Sequence, residues 1–139
     1  MLIDKNFITK YIPQRYPFVM IDKLISANET QFESEFEITG ENIFLKNGIL
    51  SESALIENIA QTCAAGFGYL GSQNGEEAGK LGFIGAVSRL EVKKVAKEND
   101  VVKTKITIIS TFDTIHLVEG TAFRENEELV SCQMKIVVG

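Results

Sequence analysis

The sequence predicts an α+β fold in which one long helix packs against a curved antiparallel sheet. Three observations carry this reading. Residues 51–69 have helical apolar spacing behind a serine cap, residues 30–38 alternate strictly, and the chain beyond residue 81 reads as successive short strands joined by polar turns. A helix with strands on both sides in the chain, the later ones forming a meander, is the signature of α+β rather than of alternating βαβ units.

Taken in order, residues 3–11 are expected to form a short helix, capped by Asp4 and stopped ahead of Pro13. From Thr30 to Ile38, Thr30, Phe32, Ser34, Phe36 and Ile38 fall on one face and Gln31, Glu33, Glu35 and Glu37 on the other, as in a strand wet on one side. The long helix spans roughly Ser51 to Tyr69. Ser51 or Ser53 serves as N-cap, Glu52 sits at the positive end of the helix dipole, and Gly71 lies beyond the last turn. Leu81–Val92 is the next strand. Asp100–Ser110 then points Val102, Thr104, Ile106 and Ile108 to one side. Asp113–Phe123, a polar turn at Arg124–Glu128 and a strand Leu129–Val138 complete the set, with Val130, Cys132, Met134, Ile136 and Val138 inward.

Composition bounds the function. The chain has 139 residues, 14 basic and 19 acidic, with a formal net charge of −5, so a basic nucleic-acid binder is excluded as a class. That length suits one domain over residues 1–139, and no repeat or linker divides it. One histidine and two cysteines exclude most zinc sites, which take three or four such ligands. No phosphate loop or dinucleotide fingerprint is present, so neither a metal nor a cofactor is expected. Cys63 and Cys132 are read as buried reduced thiols. The N-terminus has no signal-peptide core and no apolar run approaches the ~18 residues of a membrane span. A cytoplasmic protein without membrane contact is expected.

The helix has an unusual face. With Glu57 at zero on a wheel of about 100° per residue, Leu55, Ile56, Ile59, Cys63, Phe67 and Leu70 gather opposite it. Around Glu57 lie Ser53, Ala54, Ala60, Gln61, Ala64 and Gly68, and no basic residue occurs between Lys46 and Lys80. A small, nearly uncharged face suits close approach by another backbone, a second subunit or a ligand, so the helix is expected to be buried on more than one side. Glu57 is then a carboxylate in a confined setting, where desolvation raises the pKa and fits it for proton transfer. Gln61, four residues on, is placed to orient it by a hydrogen bond. His116 is the only imidazole available.

Two stretches resemble a known family. Ile12-Pro13-Gln14-Arg15-Tyr16-Pro17-Phe18-Val19-Met20-Ile21-Asp22 is similar to the Leu-Pro-His-Arg-Tyr-Pro-Phe-Leu-Leu-Val-Asp motif of (3R)-hydroxyacyl-acyl-carrier-protein dehydratases. Ile56-Glu57-Asn58-Ile59-Ala60-Gln61 resembles the same family's Ile-Glu-Ala-Leu-Ala-Gln helix motif, whose Glu is catalytic. The resemblance covers roughly residues 8–138 and implies a hotdog fold, in which the sheet wraps the central helix and chains pair as dimers. Gly82-Phe83-Ile84-Gly85 and Ala60-Gln61-Thr62 further resemble the divergent dehydratase-like proteins of aryl-polyene and flexirubin-type pigment pathways. One departure matters. Phe44–Glu52 stands where the family has Gly-His-Phe-Pro with its catalytic base, and it holds neither histidine nor proline; the motif histidine is Gln14.

The resemblance implies a substrate that is a 3-hydroxyacyl thioester on acyl carrier protein or CoA. Dehydrating it takes a base at the α-carbon, an acid at the hydroxyl and donors for the thioester oxygen. Glu57 is the candidate acid–base residue, with His116 as the second. Gln14, Asn47, Gly48, Ser53 and Gln61 are candidate substrate-binding residues, and amides near Gly48 or Ser51–Ser53 are placed for the thioester oxygen. Arg89, Lys93, Lys94 and Lys97 form the densest positive stretch, suited to steering an acidic carrier protein. Two alternatives stay open: a thioesterase in which Glu57 activates water, and a non-catalytic acyl-binding subunit that pairs with a catalytic, histidine-bearing paralogue. The expected assembly is accordingly a homodimer, a higher hotdog oligomer or a heterodimer.

Overall fold

The computed structural model describes residues 1–75 and 82–138. A 3-10 turn (Ile8–Lys10) precedes β1 (Lys23–Ala27), β2 (Gln31–Glu37), β3 (Leu45–Lys46) and β4 (Ile49–Leu50). Helix α1 (Glu52–Gln73) follows, and then β5 (Gly82–Val92), β6 (Ala96–Lys97), β7 (Val101–Phe112), β8 (Ile115–Arg124) and β9 (Glu127–Val138). Six strands form one antiparallel sheet in the order β1-β2-β7-β8-β9-β5, and β3, β4 and β6 form a small second sheet. Helix α1 packs against all six strands of the large sheet, which therefore curves around it. This is the hotdog arrangement.

Alternation sets the faces of the sheet. Phe32, Ser34 and Phe36 of β2, Val102, Thr104 and Ile106 of β7, and Val130, Cys132, Met134 and Ile136 of β9 are buried, whereas Ile108 and Val138 are only partly so. On the outer face Glu33 stands opposite Lys105 and Glu35 opposite Lys103, so opposite charges fix the register of β2 against β7. Both cysteines are free and buried. Burial pushes the Cys63 thiol up and that of Cys132 up to about 11, so neither is a thiolate near neutrality. Among the described residues no helix is long and apolar enough to cross a membrane, and no group of three His, Cys, Asp or Glu is placed to hold a metal.

Several expectations are corrected. Of residues 3–11 only Ile8–Lys10 is helical, as a single 3-10 turn, because Ile3 instead pairs with Leu24 as an isolated bridge that covers the β1 edge. Asp4 caps only a turn, its carboxylate accepting from Asn6 N at 3.0 Å and its carbonyl from Phe7 N at 2.9 Å. Helix α1 runs one turn beyond Tyr69 to Gln73, so Gly71 lies inside it. Ser51 is the N-cap, accepting from Ser53 N at 3.3 Å. Strand β1 goes unannounced because only Leu24 of its five residues is buried, which leaves no alternation to read. The β3–β4 hairpin also escapes the periodicity argument. Its signal is Asn47-Gly48, both at positive φ (55° and 77°), the pair that a two-residue turn of this hand demands. The first residue of the strand expected at Leu81–Val92, Leu81, lies outside the described residues.

Candidate active site on the central helix

The small face of α1 does receive another backbone, and it is the chain's own. Asn58, Gln61, Ala65 and Gly68 form one buried stripe at i, i+3, i+7 and i+10. The segment 11–20 runs along this stripe from the C-terminal end of the helix toward its start. A Cβ on Gly68 would lie 2.9 Å from the Tyr11 carbonyl oxygen, so glycine is what lets that backbone approach. Farther along, Gln61 Nε2 donates to Phe18 O at 2.9 Å and Gln61 Oε1 accepts from Met20 N at 2.7 Å. Asn58 Nδ2 donates to Met20 O at 2.7 Å.

These contacts open a longer buried chain. Asn58 Oδ1 accepts from Thr104 Oγ1 at 2.5 Å, and Thr62 Oγ1 donates to Asn58 O at 2.7 Å. Thr62 has then spent its only hydrogen, so Ser34 Oγ donates to Thr62 Oγ1 at 2.7 Å. Ser34, Asn58, Gln61, Thr62 and Thr104, all at or below 2% exposure, thus share one network, and a fully partnered network is what makes burying them tolerable. Sequence reasoning missed it. The signal was Asn58, Gln61 and Thr62 interrupting an otherwise apolar helix.

The expected link between Gln61 and Glu57 is therefore corrected: both ends of the Gln61 carboxamide are committed to the backbone of Phe18 and Met20. Glu57 sits one turn earlier, half-buried, flanked by the exposed Ser53 and by Ala60 and Ala64. It is the only charged side chain on α1 after Glu52, so the negative charge of this face has one location.

His116 is elsewhere. On β8 its ring stacks on Phe67, with centroids 4.3 Å apart and planes 29° from parallel, and its Nδ1 lies 2.9 Å from Thr111 Oγ1. Burial lowers its pKa and favours the neutral ring. Phe67 is ten residues beyond Glu57, or about 15 Å along the helix axis. The protomer does not bring His116 and Glu57 together.

Asn47 and Gly48 form the exposed tip of the β3–β4 hairpin, where their backbone angles are the evident reason for their identity, and Gly48 O accepts from Glu98 N at 3.0 Å. Gln14 is half-buried in the 11–20 segment, and its buried Oε1 accepts no hydrogen bond among the described residues. The positive stretch is partly neutralised. Lys93 pairs with Glu128 at 2.5 Å and reaches Glu91 at 4.0 Å, while Lys94 pairs with Glu127. Lys94 and Arg124 together hold the Glu127 carboxyl down to about 2. Arg89 and Lys97 have no carboxylate within 4 Å among the described residues.

With helix, sheet and carboxylate placed in this way, the chain is a hotdog protein of the dehydratase-like kind. It belongs to the ApeP-like family, described as ApeP dehydratase, whose profile matches residues 7–138. Among curated proteins it is 24% identical to the 3-hydroxyacyl-[acyl-carrier-protein] dehydratase FabZ of Clostridium botulinum, over 99% of this chain and 96% of that one. It is 26% identical to FabZ of Oceanobacillus iheyensis, over 97% and 96%. Among solved structures it superposes on a chain of the dehydratase heterocomplex ApeI:P from Xenorhabdus doucetiae with a TM-score of 0.87, at 16% identity, covering 95% of this chain and 90% of that one. A hypothetical thioesterase with coenzyme A from Streptococcus pneumoniae shares the fold at a TM-score of 0.68 and 13% identity, with 84% of each chain covered.

Proposed function

We propose that this chain is the carboxylate-bearing subunit of a 3-hydroxyacyl-thioester dehydratase, with Glu57 as its catalytic residue and the imidazole supplied by a second hotdog subunit. One observation carries the reading. Glu57 stands on a partly open helix face, while the chain's only histidine is stacked on Phe67 about 15 Å farther along the axis.

In the reaction the partner's imidazole removes the α-proton, Glu57 protonates the departing β-hydroxyl, and water leaves to give the enoyl thioester. In the first turn the Ser51 amide donates to Phe44 O at 3.0 Å and the Ser53 amide to the Ser51 hydroxyl at 3.3 Å, which leaves the Glu52 amide, about 7.5 Å from Glu57 along the axis, as the candidate to hold the thioester oxygen as charge develops. Losing one of the two proton-transfer partners costs roughly 10²–10⁴ in rate, so the chain without an imidazole partner is a feeble catalyst.

The edge of the sheet supports pairing. Ile84, Val87, Leu90 and Val92 of the edge strand β5 are exposed by 40–45%, and a long apolar edge of this kind is an unfinished sheet until another strand covers it. The relative from Xenorhabdus doucetiae is described as part of a heterocomplex, which favours a distinct hotdog chain over a second copy as the occupant. Within the positive stretch Arg89 and Lys97, without a carboxylate partner among the described residues, are candidates to meet an acidic acyl carrier protein, and Gln14, with its unspent acceptor, is a candidate to meet a donor on the thioester arm.

The test is product analysis with a 3-hydroxyacyl thioester. Enoyl thioester from the wild-type assembly, falling by at least about 10²-fold in Glu57→Gln, is the expected result. Equal turnover by both forms removes Glu57 from the chemistry, and release of free thiol in place of enoyl product makes the protein a thioesterase.

A further inference from the structure

Gln61 uses both ends of its carboxamide to hold the backbone of Phe18 and Met20. Its carboxamide meets Phe18 O and Met20 N as a neighbouring strand would, and Asn58 adds a third bond at Met20 O. The residues so held divide sharply. Met20 and its neighbour Ile21 are 1% exposed and belong to the core, but Phe18 is 56% exposed and lies outside the core cluster. Phe18 is not a lone case, since Tyr16 two residues earlier is 82% exposed, and two exposed aromatic residues on a segment fixed by buried hydrogen bonds point to a purpose outside the fold. Gln61 lies one turn, about 6 Å, from Glu57 on the same side of the helix, so the pinned segment borders the carboxylate.

We propose that Phe18 is a specificity-determining wall of the acyl site and that Gln61 is its positioning residue, holding the Phe18 backbone so that the ring packs on the acyl chain of a thioester whose reacting carbons lie at Glu57. The proposal rests on the reading of Glu57 given above. The floor beside the carboxylate fits an alkyl chain: Ala60 and Ala64 flank Glu57, and residues 58–67 carry no charge. Small, uncharged side chains leave room for a slender apolar chain and offer no salt-bridge partner to a protein surface.

The experiment uses the full chain and two probes, 3-hydroxybutyryl-pantetheine and 3-hydroxydecanoyl-pantetheine, with binding measured by calorimetry in a Glu57→Gln background so that neither is turned over. Phe18→Ala is expected to weaken the decanoyl probe about tenfold and the butyryl probe by less than about twofold, since only the longer chain reaches the ring. Tm should not change, because the ring is mostly exposed. Gln61→Met is expected to reproduce the same chain-length-dependent loss, and the double variant to be no worse than either single one, because both act through one contact. Additive losses make Gln61 merely structural and overturn its positioning role. Equal effects on both probes, no effect, or loss of subunit assembly in place of a changed chain-length preference overturn Phe18 as the acyl wall. The two readings separate cleanly. A silent Phe18→Ala with turnover still lost on Glu57→Gln defeats this proposal alone, full turnover by Glu57→Gln defeats the Glu57 reading, and absence of binding by either probe defeats both.

Discussion

His116 lies flat on Phe67, their ring centroids 4.3 Å apart, and that stacking explains both the position of the histidine and its chemistry. Phe67 in turn meets Phe32 edge to face, with centroids 5.0 Å apart at 88°, so the imidazole is the outermost ring of an aromatic stack that begins in the core.

A pH dependence follows from this stack. Burial lowers the His116 pKa below its ordinary 6.5. The unfolded chain then binds more protons than the folded one between the two values, so the contribution is intact above 6.5 and is lost as pH falls through the folded pKa. Thermal melts at about pH 7.5 and about pH 5.5 should show a larger drop in Tm for the wild type than for His116→Gln. An NMR titration placing the His116 midpoint above 6.5 would contradict the assignment.

Asn58 should be among the least replaceable residues on the helix. Asn58→Ala leaves the Met20 carbonyl and the Thr104 hydroxyl without these partners inside the core, at an expected cost of about 2–4 kcal/mol in urea denaturation. A loss under about 1 kcal/mol would mean that the network rearranges without penalty.

Gly66 should not tolerate alanine, despite the helix propensity of alanine. A Cβ there would sit 2.3–2.6 Å from the Phe32 ring, which is fully buried and has nowhere to move. Overpacking of this kind costs about 1–3 kcal/mol, against at most about 1 kcal/mol gained from propensity. Gly66→Ala is therefore expected to lower stability, and combining it with Phe32→Leu to recover part of the loss. Strictly additive losses in the double variant would show that the two groups do not collide.

The ion pairs of Glu127 give an acid-side expectation. Its carboxyl is held at about 2 against an ordinary 4.5, so the stabilisation is present above 4.5 and disappears as pH falls toward 2. Lys94 is exposed and Glu127 and Arg124 are only partly buried, so the effect should shrink with added salt, and a salt-independent acid transition would place its origin elsewhere.

How much of this is legible in the sequence depends on the range of the interaction involved. β2, β7, β9 and the start of α1 write themselves into the chain because burying one face imposes period 2 or 3.6, and a cap serine marks the helix start. β1 leaves no such trace, since only Leu24 is buried, and Asp4 near Ile3 reads as a helix cap until Ile3 is seen paired with Leu24. At the site, Glu57 and the small residues around it are visible as a helix face without basic residues. What covers that face is not visible, because the bonds from Gln61 to Phe18 and Met20 span more than forty residues. The expectation that Gln61 serves Glu57 used the nearest neighbour on the helix, whereas the partner came from the far end of the sequence distance. Lys93 and Lys94 teach the same point, since their partners Glu128 and Glu127 arrive with the β8–β9 hairpin.

The most direct measurement of the central claim is reconstitution. The purified chain, a hotdog paralogue that retains its motif histidine, and the mixture of the two are assayed for enoyl product from a 3-hydroxyacyl thioester, with wild-type and Glu57→Gln chains in parallel. A site shared between the two chains gives little product from this chain alone, a rise of at least about 10²-fold on mixing, and loss of that rise with Glu57→Gln. Full activity from this chain alone, or a rise on mixing that survives Glu57→Gln, would contradict it.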